Sequence, residues 1–440
     1  MTSLRAATKR TGAKAVAPRV GLAGLLGSGN LGNDGSLEAM FAYLAAQHSD
    51  ATVDCMCSGP DEITTRYGVP ATRLRWAATD TAGPPGVMAL AAKGLKAPLG
   101  IIIDAFRTAS WVRRHDVVIV PGTGVLEATI AVRPWHTPYS MFLVCASGRL
   151  FGTKVALVSV GAAEVRQPLM RWLITSAARL AYYRSYRDTF SRDAMRRMGL
   201  DTSEDAVYPD LAFALRPPRG VPVAAGTVGV GVMDYYGGND DRQQADQLRA
   251  FYVENMKSFV LWLVEHGRVV RMFTTDVHDE RIMHEVIAAL RAHRPELGPS
   301  QLIAEPVPGL DELLRQIASV DTVIASRYHG VLYALKLAKP TLAIGYAAKF
   351  GALMAEMGLA EFCQSAASVD AGRLTEQFMD LESRSPQLRQ AMTERTAANA
   401  RLLDHQFTTL SALLFRTAAP AAITVRHERA RADVPREELS

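Results

Sequence analysis

The chain has 440 residues, of which 48% are hydrophobic and 21% are charged, and this balance is typical of a globular protein with more than one hydrophobic core. The formal net charge is +5. The first nineteen residues hold five basic residues and no acid, so the rest of the chain is close to neutral and a nucleic-acid-binding surface is not expected. The four cysteines form no paired CxxC motif, which excludes a zinc ribbon or a disulfide framework and favours reduced thiols in a cytoplasmic protein.

The apolar stretches of the chain are too interrupted to cross a membrane. No continuous apolar segment follows the basic N-terminal residues, so a secretory signal is not expected. Lysine or arginine breaks the runs at 86–103 and 141–163, and neither supplies the roughly 20 apolar residues that a spanning helix needs. We therefore expect a soluble, cytoplasmic protein with at most peripheral contact at the inner face of the cell membrane.

The first half of the chain predicts an α/β domain. An apolar strand at 20–26 precedes a Gly-rich turn at 27–35 and an amphipathic helix from Ser36 to about Gln47. Strand, turn and helix in this order form the opening unit of a doubly wound sheet. Further buried strands are predicted at 117–120 and 155–160. The segment 216–222 holds three prolines and a glycine, which predicts a linker.

After the linker, strands and helices alternate again, which predicts a second parallel sheet covered on both faces. The predicted strands are 228–233, 269–274, 302–304, 322–325 and 341–344, and the predicted helices are 244–266, 279–293, 310–318, 330–337 and 349–357. An amphipathic stretch at 386–415 predicts a closing helix.

The predicted organisation is therefore two Rossmann-like domains between two tails. A disordered basic tail covers 1–19, an N-terminal Rossmann-like domain 20–218, a C-terminal Rossmann-like domain 219–385, the closing helix 386–415 and a disordered charged tail 416–440. Sheets of this kind bind ligands at the carboxyl ends of their strands, so two facing domains predict a cleft that holds the ligand.

The strongest candidate for ligand binding is the segment Ser326-Arg327-Tyr328-His329-Gly330. It joins a predicted strand to a predicted helix, whose N-terminus offers unpaired N–H groups and a partial positive charge. Arginine suits carboxylate or phosphate, and histidine can donate to phosphate or transfer a proton. The pattern predicts a site for an anionic, phosphorylated ligand. The structural alternative is that Arg327 pairs with an acid and His329 is a buried histidine with satisfied hydrogen bonds.

Three further turns carry candidate residues. The segment Tyr186-Arg187-Asp188-Thr189-Phe190-Ser191 sets an arginine and a hydroxyl group at a helix start, unless Asp188 or Ser191 only caps that helix. The turn at 27–35 is neither a GxGxxG fingerprint nor a P-loop, so ligand approach and a simple tight turn both stay open. The turn Gly122-Thr123-Gly124 ends another strand, and after it Trp135 and Tyr139 either stack on a sugar or pack under their loop.

Asp276, His278 and Asp279 are residue types that bind metals. Asp279 precedes a predicted helix, and capping that helix is the simpler explanation. No metal site is predicted.

Taken in order, these segments resemble the polysaccharide pyruvyl transferase family. The most specific match is 326–330, and the resemblance covers about residues 20–360. The other matching positions are Gly29-Asn30-Leu31-Gly32, Gly122-Thr123-Gly124, Val160-Gly161, Arg187-Asp188 with Ser191, Pro209-Asp210-Leu211-Ala212-Phe213, Ala334-Leu335, Pro340, and Tyr346 with Lys349.

The resemblance implies a fold like that of the GT-B glycosyltransferases, with two Rossmann-like domains that face each other across a cleft. It also implies an activity, the transfer of a pyruvyl group from phosphoenolpyruvate to a glycan such as a surface or exopolysaccharide precursor. A pyruvate ketal forms and phosphate is released. Phosphoenolpyruvate is then the donor substrate and no cofactor is expected. Whether the glycan acceptor is lipid-linked stays open.

Carried over by position, the resemblance makes Arg187, Arg327 and His329 catalytic residues that contact phosphoenolpyruvate, with His329 on the phosphate side. The substrate-binding positions it implies are Gly29, Asn30, Gly32, Gly122, Thr123, Gly124, Ser191, Ser326 and Lys349. Glu164 and Asp188 are considered as donors of a proton to carbon. Two other functions stay open: a nucleotide-sugar glycosyltransferase of the GT-B type, and a non-catalytic module that binds an anion or a glycan.

Overall fold

The computed structural model of the chain describes residues 17–76, 87–127, 133–237 and 243–415, and between 87 and 98 it describes the helical backbone alone. These residues form two parallel β-sheets, each flanked by helices, so the predicted fold class is confirmed. The predicted tail at 416–440 lies outside the described residues, as does most of the tail at 1–19. Strand β1 begins at Arg19, inside that predicted tail, because Arg19 pairs with Thr52 of the neighbouring strand.

The N-terminal sheet has the strand order β3-β2-β1-β4-β5-β6-β7. Its strands are β1 Arg19–Gly24, β2 Thr52–Cys57, β3 Ala71–Arg73, β4 Val117–Pro121, β5 Lys154–Val160, β6 Tyr183–Tyr186 and β7 Ala206–Val207. Its helices are α1 Leu31–Gln47, α2 Pro60–Tyr67, α3 Val87–Val112, α4 Thr137–Phe151, α5 Pro168–Leu180 and α6 Thr189–Arg197. The central strand β4 is buried along its whole length, because helices cover both faces of a parallel sheet.

The C-terminal sheet has the strand order β10-β9-β8-β11-β12-β13. Its strands are β8 Thr227–Gly231, β9 Val269–Phe273, β10 Leu302–Ile303, β11 Thr322–Ala325, β12 Thr341–Gly345 and β13 Cys363–Ser365. Its helices are α7 Ala245–Glu265, α8 Glu280–His293, α9 Leu310–Ser319, α10 Tyr328–Lys336, α11 Ala348–Glu356 and α12 Ala371–Ser383. The strands predicted after the linker match β8 to β12 within two residues at each end, and the linker itself holds no helix or strand.

Helix α1 corrects one prediction. It begins at Leu31 rather than at Ser36, because the Asn30 side chain caps it by accepting the Gly32 N–H at 3.0 Å. Two glycines that suggested a loop are therefore helical. A Cβ atom at Gly32 would lie 1.9 Å from Nδ1 of His329, and one at Gly35 would lie 2.2 Å from the Tyr333 hydroxyl. Glycine at these positions lets α1 pack closely against α10.

Helix α13, Ser385–Leu410, confirms the predicted closing helix and ends in a π-helical turn at Ser411–Phe415. It contacts both halves of the fold. Arg389 pairs with Asp321 before β11 at 2.6 Å, and Gln406 donates to Ser185 of β6 at 2.9 Å. No helix in the described part of the chain is long and apolar enough to cross a membrane.

Direct contacts also join the two sheets at the carboxyl ends of their strands. The Leu31 N–H donates to the Thr275 carbonyl at 3.0 Å, and the Tyr333 hydroxyl donates to the Leu31 carbonyl at 2.8 Å. The Lys336 ammonium donates to the Phe213 carbonyl at 2.7 Å. The start of α1 is therefore fixed against the C-terminal half, and the strand ends of both sheets face a common space.

Candidate active site

A cavity of about 190 Å³ lies between the two sheets. Each lining segment follows a strand of one sheet or the other, which is where α/β sheets bind their ligands. Six predicted site residues meet there, although they come from both halves of the chain. The lining residues are Leu25, Asn30, Asn33, Gly124, Glu127, Thr137, Arg187, Thr275, Asp276, Arg327, Tyr328, His329, Tyr346 and Lys349.

The N-terminal ends of three helices face this cavity. Asn30 is the N-cap of α1, Arg327 is the N-cap of α10, and Lys349 lies in the first turn of α11. Each helix start carries unpaired N–H groups and a partial positive charge. Together with the side chains of Arg187, Arg327 and Lys349, they make the cavity suited to an anion.

Glu127 links two of these cations. Its carboxylate accepts from Arg187 Nη2 at 2.5 Å and from Lys349 Nζ at 2.8 Å. Burial raises the pKa of Glu127, but Lys349 and Arg187 outweigh it and lower that pKa to about 2. The carboxylate therefore stays ionised and holds an arginine of the N-terminal half beside a lysine of the C-terminal half. Sequence analysis did not single out Glu127, since its partners are 60 and 222 residues away.

Arg187 lies in a strongly acidic environment. Besides Glu127, it has Asp188 and Asp210 at 3.5 Å, and its guanidinium lies 4.5 Å from the centre of the Tyr328 ring. Its side chain is 2% exposed. Because these partners approach from different sides, the position of Arg187 is fixed within the cavity wall.

Arg327 pairs with an acid, as the structural alternative predicted. It makes a bidentate pair with Asp279, from Nε at 2.6 Å and from Nη2 at 2.7 Å. Asp279 is fully buried and makes no side-chain capping bond to α8, so its predicted role as a cap is wrong and its role is to hold Arg327. The pairing leaves Nη1 of Arg327 without a hydrogen-bond acceptor among the described residues, and Arg327 lines the cavity.

Asp276, another of the residue types suggestive of metal binding, has hydrogen-bond partners in both halves of the fold. Asp276 accepts the His278 N–H at 3.1 Å and the Asn30 amide at 2.9 Å. The second contact joins the two halves of the fold beside the cavity. Asp276 thereby positions Asn30, the cap of α1.

His329 lies over Gly32 with its side chain 12% exposed. Its Nε2 atom has no hydrogen-bond partner among the described residues and is 3.9 Å from a carboxylate oxygen of Asp210. Burial lowers the pKa of His329 to about 4; Asp210 opposes this shift, while Arg187 and Lys349 add to it. The imidazole is therefore neutral near pH 7. The structural alternative required a histidine with satisfied hydrogen bonds, and Nε2 does not meet that condition among the described residues.

Other predicted site residues support the cavity without lining it. Gly122 and Thr123 form the turn after β4 with φ values of 46° and 62°, and a Cβ atom at Gly122 would lie 2.2 Å from the Ser36 hydroxyl. Only Gly124 of that turn lines the cavity. Gly29 packs against Val277 of the C-terminal half. These glycines allow a close approach of backbone segments.

Two predicted serines have internal partners. The Ser191 N–H donates to Asp188, which caps α6, so the capping explanation accounts for Asp188 and Ser191. Ser326 is fully buried, and its hydroxyl accepts from Tyr252 at 2.6 Å. Their predicted roles in substrate binding remain predictions.

The residues considered for proton donation lie elsewhere. Glu164 forms an exposed pair with Arg197 at 3.1 Å and does not line the cavity. Asp188 lies on the far side of Arg187, where it lines a second cavity with Asp210 and Glu356. Trp135 and Tyr139 contact each other edge to face, and the Tyr139 hydroxyl donates to Ile101, so this pair packs within its own region.

Solved structures with the same architecture include enzymes that handle nucleotide sugars. HepE from Anabaena, crystallised with UDP and glucose, aligns over 90% of this chain and 100% of its own with a TM-score of 0.53 and 10% identity. UDP-GlcNAc 2-epimerase from Neisseria meningitidis, bound to UDP-GlcNAc, aligns over 90% and 99% with a TM-score of 0.52 and 9% identity. The glycotransferase of kitacinnamycin aligns over 90% and 99% with a TM-score of 0.52 and 14% identity. At such identities the likeness establishes the GT-B fold alone.

The sequence itself matches a family model. No curated protein matches the chain, but the model for polysaccharide pyruvyl transferase matches residues 30–347. The matched range begins at the cap of α1 and ends just after β12, so it contains nearly every residue that lines the cavity. The chain therefore belongs to the polysaccharide pyruvyl transferase family, a family of transferases that act on polysaccharide, and is built on the GT-B fold.

Proposed function

We propose that the protein transfers the pyruvyl group of phosphoenolpyruvate to two hydroxyl groups of a glycan, forming a pyruvate ketal and releasing phosphate. The observation that carries this proposal is the convergence of Arg187, Arg327, Lys349 and His329 with three helix N-termini in one cavity. Phosphoenolpyruvate is a small molecule that carries two anionic groups, a carboxylate and a phosphate, both attached to C2. Separate cations on the two walls of a cavity suit such a ligand.

The cations divide into two groups by their existing partners. Arg327 comes from the C-terminal half and keeps Nη1 free of its Asp279 pair, so it can donate to a ligand without breaking that pair. Arg187 and Lys349 share Glu127, so an anion that contacts them competes with this carboxylate. We assign the phosphate to Arg327 and His329, and the carboxylate of the donor to Arg187 and Lys349.

His329 suits the phosphate end because its protonation responds to charge. In its present environment burial keeps it neutral. A bound phosphate dianion favours the protonated imidazole and raises its pKa. The protonated His329 can then give its proton to the departing phosphate, and the neutral imidazole that results can take the proton of an attacking glycan hydroxyl.

The reaction balances without a co-reactant. The methylene carbon of phosphoenolpyruvate gains a proton and becomes a methyl group, the C2–O bond to phosphate breaks, and two glycan oxygens bond to C2. The two hydroxyl groups release two protons. One balances the proton that the methyl carbon gains, and the other leaves with phosphate.

Glu127 is our candidate for the proton delivered to carbon. Among the described residues, Glu127 and Asp276 are the carboxyl groups that line the cavity, and Asp276 is occupied with Asn30 and His278. When the donor carboxylate pairs with Arg187 and Lys349, it offsets the positive charge that faces Glu127, and the pKa of Glu127 rises towards that of an acid able to give up a proton. Burial acts in the same direction.

A binding experiment separates this proposal from the nucleotide-sugar alternative, which the neighbours of the same fold support. Isothermal titration with phosphoenolpyruvate, UDP-glucose and UDP-GlcNAc is expected to detect binding of phosphoenolpyruvate, which Arg327→Ala weakens. Binding of a nucleotide sugar with none of phosphoenolpyruvate would contradict the proposal. Binding of phosphoenolpyruvate without ketal formation on the host's glycan would favour a non-catalytic module.

A further inference from the structure

The outer surface of α3, α4 and α5 is rich in exposed apolar side chains. The inner sides of these helices bury Trp111, Met141 and Ile174 against the N-terminal sheet. Their outer sides expose large residues, of which Phe106 at 75% and Leu150 at 74% are the most accessible. We call this surface the α3–α5 face; its residues are Trp76, Leu99, Ile102, Phe106, Trp135, Leu150, Phe151, Leu169 and Trp172, more than half of the exposed large apolar residues in the described chain.

Contacts across the helices indicate that this face is continuous. The Trp76 N–H donates to Asp104 of α3 at 2.6 Å. The Tyr139 hydroxyl of α4 donates to the Ile101 carbonyl of α3, and Phe142 of α4 contacts the ring of Trp172 on α5 at 5.2 Å between centroids. On α3 itself, Leu99, Ile102 and Phe106 have the spacing of one helical stripe. A continuous apolar surface of this kind marks an interaction site.

The charges of the face are mostly positive. Among the residues of the three helices whose side chains are described, the basic ones are Arg107, Arg149, Arg171 and Arg179, and the acid is Asp104. Asp104 is already paired with Arg107, so the net excess is positive. Two copies of the chain that joined through this face by two-fold symmetry would bring the same arginines towards each other without acids to pair with.

We propose that the α3–α5 face docks on the surface of an anionic lipid bilayer. Three of its residues are tryptophans, which favour the boundary between the hydrocarbon and the headgroups, and arginines near that boundary attract anionic headgroups. Apolar side chains in a helical stripe beside basic residues are the pattern of helices that lie in a membrane surface. The contact is peripheral, and it does not depend on which donor the cavity binds.

The α3–α5 face borders the candidate active site. Thr137, the first residue of α4, lines the cavity, and Trp135 on the face stands two residues before it. Docking therefore brings the cavity close to the bilayer. If the proposed function is correct, this arrangement suits an acceptor glycan attached to a lipid.

Sedimentation of the full chain with vesicles tests the proposal. Vesicles of phosphatidylglycerol and phosphatidylcholine are expected to bind the protein at least tenfold more tightly than vesicles of phosphatidylcholine alone, and salt is expected to weaken the binding. The double variant Ile102→Ser/Phe106→Ser is expected to lose at least tenfold in affinity. Arg149→Glu is expected to weaken binding to the anionic vesicles several-fold. The matched control is Phe251→Ser, an exposed phenylalanine on α7, which is expected to bind as the wild type does.

Three results would overturn the proposal. The first is a wild-type chain that binds neither kind of vesicle. The second is equal binding by the wild type and Ile102→Ser/Phe106→Ser, which would assign the contact to another part of the chain, such as the basic N-terminal residues. The third is a dimer in sedimentation velocity that the double variant dissociates, with no vesicle binding, which would make a second copy the occupant. Circular dichroism checks that each variant is folded, and phosphoenolpyruvate binding reports on the cavity separately.

Discussion

Replacing Glu127 with glutamine removes the charge that holds Arg187 and Lys349 together, and it keeps the shape of the side chain. The pKa of Glu127 is lowered from 4.5 to about 2 in the folded protein, and each pKa unit corresponds to about 1.4 kcal/mol. Folding therefore favours the ionised carboxylate by about 3 kcal/mol. Breaking a buried ion pair by removing one partner costs a similar amount, about 3–5 kcal/mol. We expect Glu127→Gln to lower the free energy of unfolding by about 3 kcal/mol at pH 7.

The pH dependence of this loss identifies its cause. Because the folded-state pKa lies below the unfolded-state value, the stabilisation is present above pH 4.5 and is lost as the pH falls towards 2. The difference between wild type and Glu127→Gln should therefore shrink to about half by pH 3. Urea titrations at several pH values, followed by both tryptophan fluorescence and circular dichroism, measure it.

Glu164→Gln is the matched control. Glu164 is also paired with an arginine, but both side chains are about half exposed, at 53% and 48%, and such surface pairs contribute at most about 1 kcal/mol. A loss below about 1 kcal/mol for Glu127→Gln at pH 7, or a loss that does not change with pH, would refute the reasoning. Activity adds a second readout, because a Glu127 that gives its proton to carbon predicts that Glu127→Gln binds phosphoenolpyruvate but does not turn it over.

Three further predictions concern the cavity. Arg327→Lys is expected to weaken phosphoenolpyruvate binding roughly 10- to 100-fold by titration calorimetry, because lysine cannot hold Asp279 and an anion with one planar group; unchanged affinity would exclude Arg327 from the site. Because the pKa of His329 is lowered in the folded protein, the wild type is expected to lose up to about 3 kcal/mol of unfolding free energy as the pH falls from 6.5 to 4. His329→Asn is expected to make this loss smaller. Parallel pH profiles of wild type and variant would show that the imidazole is not buried in its neutral form. Gly32→Ala is expected to destabilise the fold by about 1–3 kcal/mol because the new Cβ meets His329. The control is Gly351→Ala in α11, where the new Cβ meets nothing within 4 Å, and it should be neutral or stabilising by up to about 1 kcal/mol. Equal effects of the two substitutions on the urea midpoint would contradict the close approach of α1 to α10.

The sequence predicts the second half of the fold well because its strands are short apolar runs between clear breaks. The strand at 322–325 is correct to the residue, and a strand end followed at once by arginine and histidine located one wall of the cavity. Helix α1 was misplaced because Gly32 and Gly35 look like loop residues when α10 is not in view. Their meaning depends on His329 and Tyr333, which lie about 300 positions away.

The ion pairs of the site could not be read in the same way. In the sequence, Glu127 is an acidic residue after a glycine turn and nothing near it indicates its partners. Only the fold brings Arg187 and Lys349 to it. Asp279 precedes a helix and so predicted a cap, but its side chain turns to Arg327. In both cases the competing local explanation was reasonable, and a contact between distant segments decided the outcome.

The central claim is that the cavity transfers pyruvyl groups to a glycan of the host. It is tested most directly by mass spectrometry of the host's surface polysaccharide and its lipid-linked precursors, in cells that carry the wild-type gene, the His329→Ala variant or no copy. The account predicts a pyruvate ketal in the first case and its loss in the other two. Identical glycans in all three strains, or a missing sugar in place of a missing ketal, would contradict it.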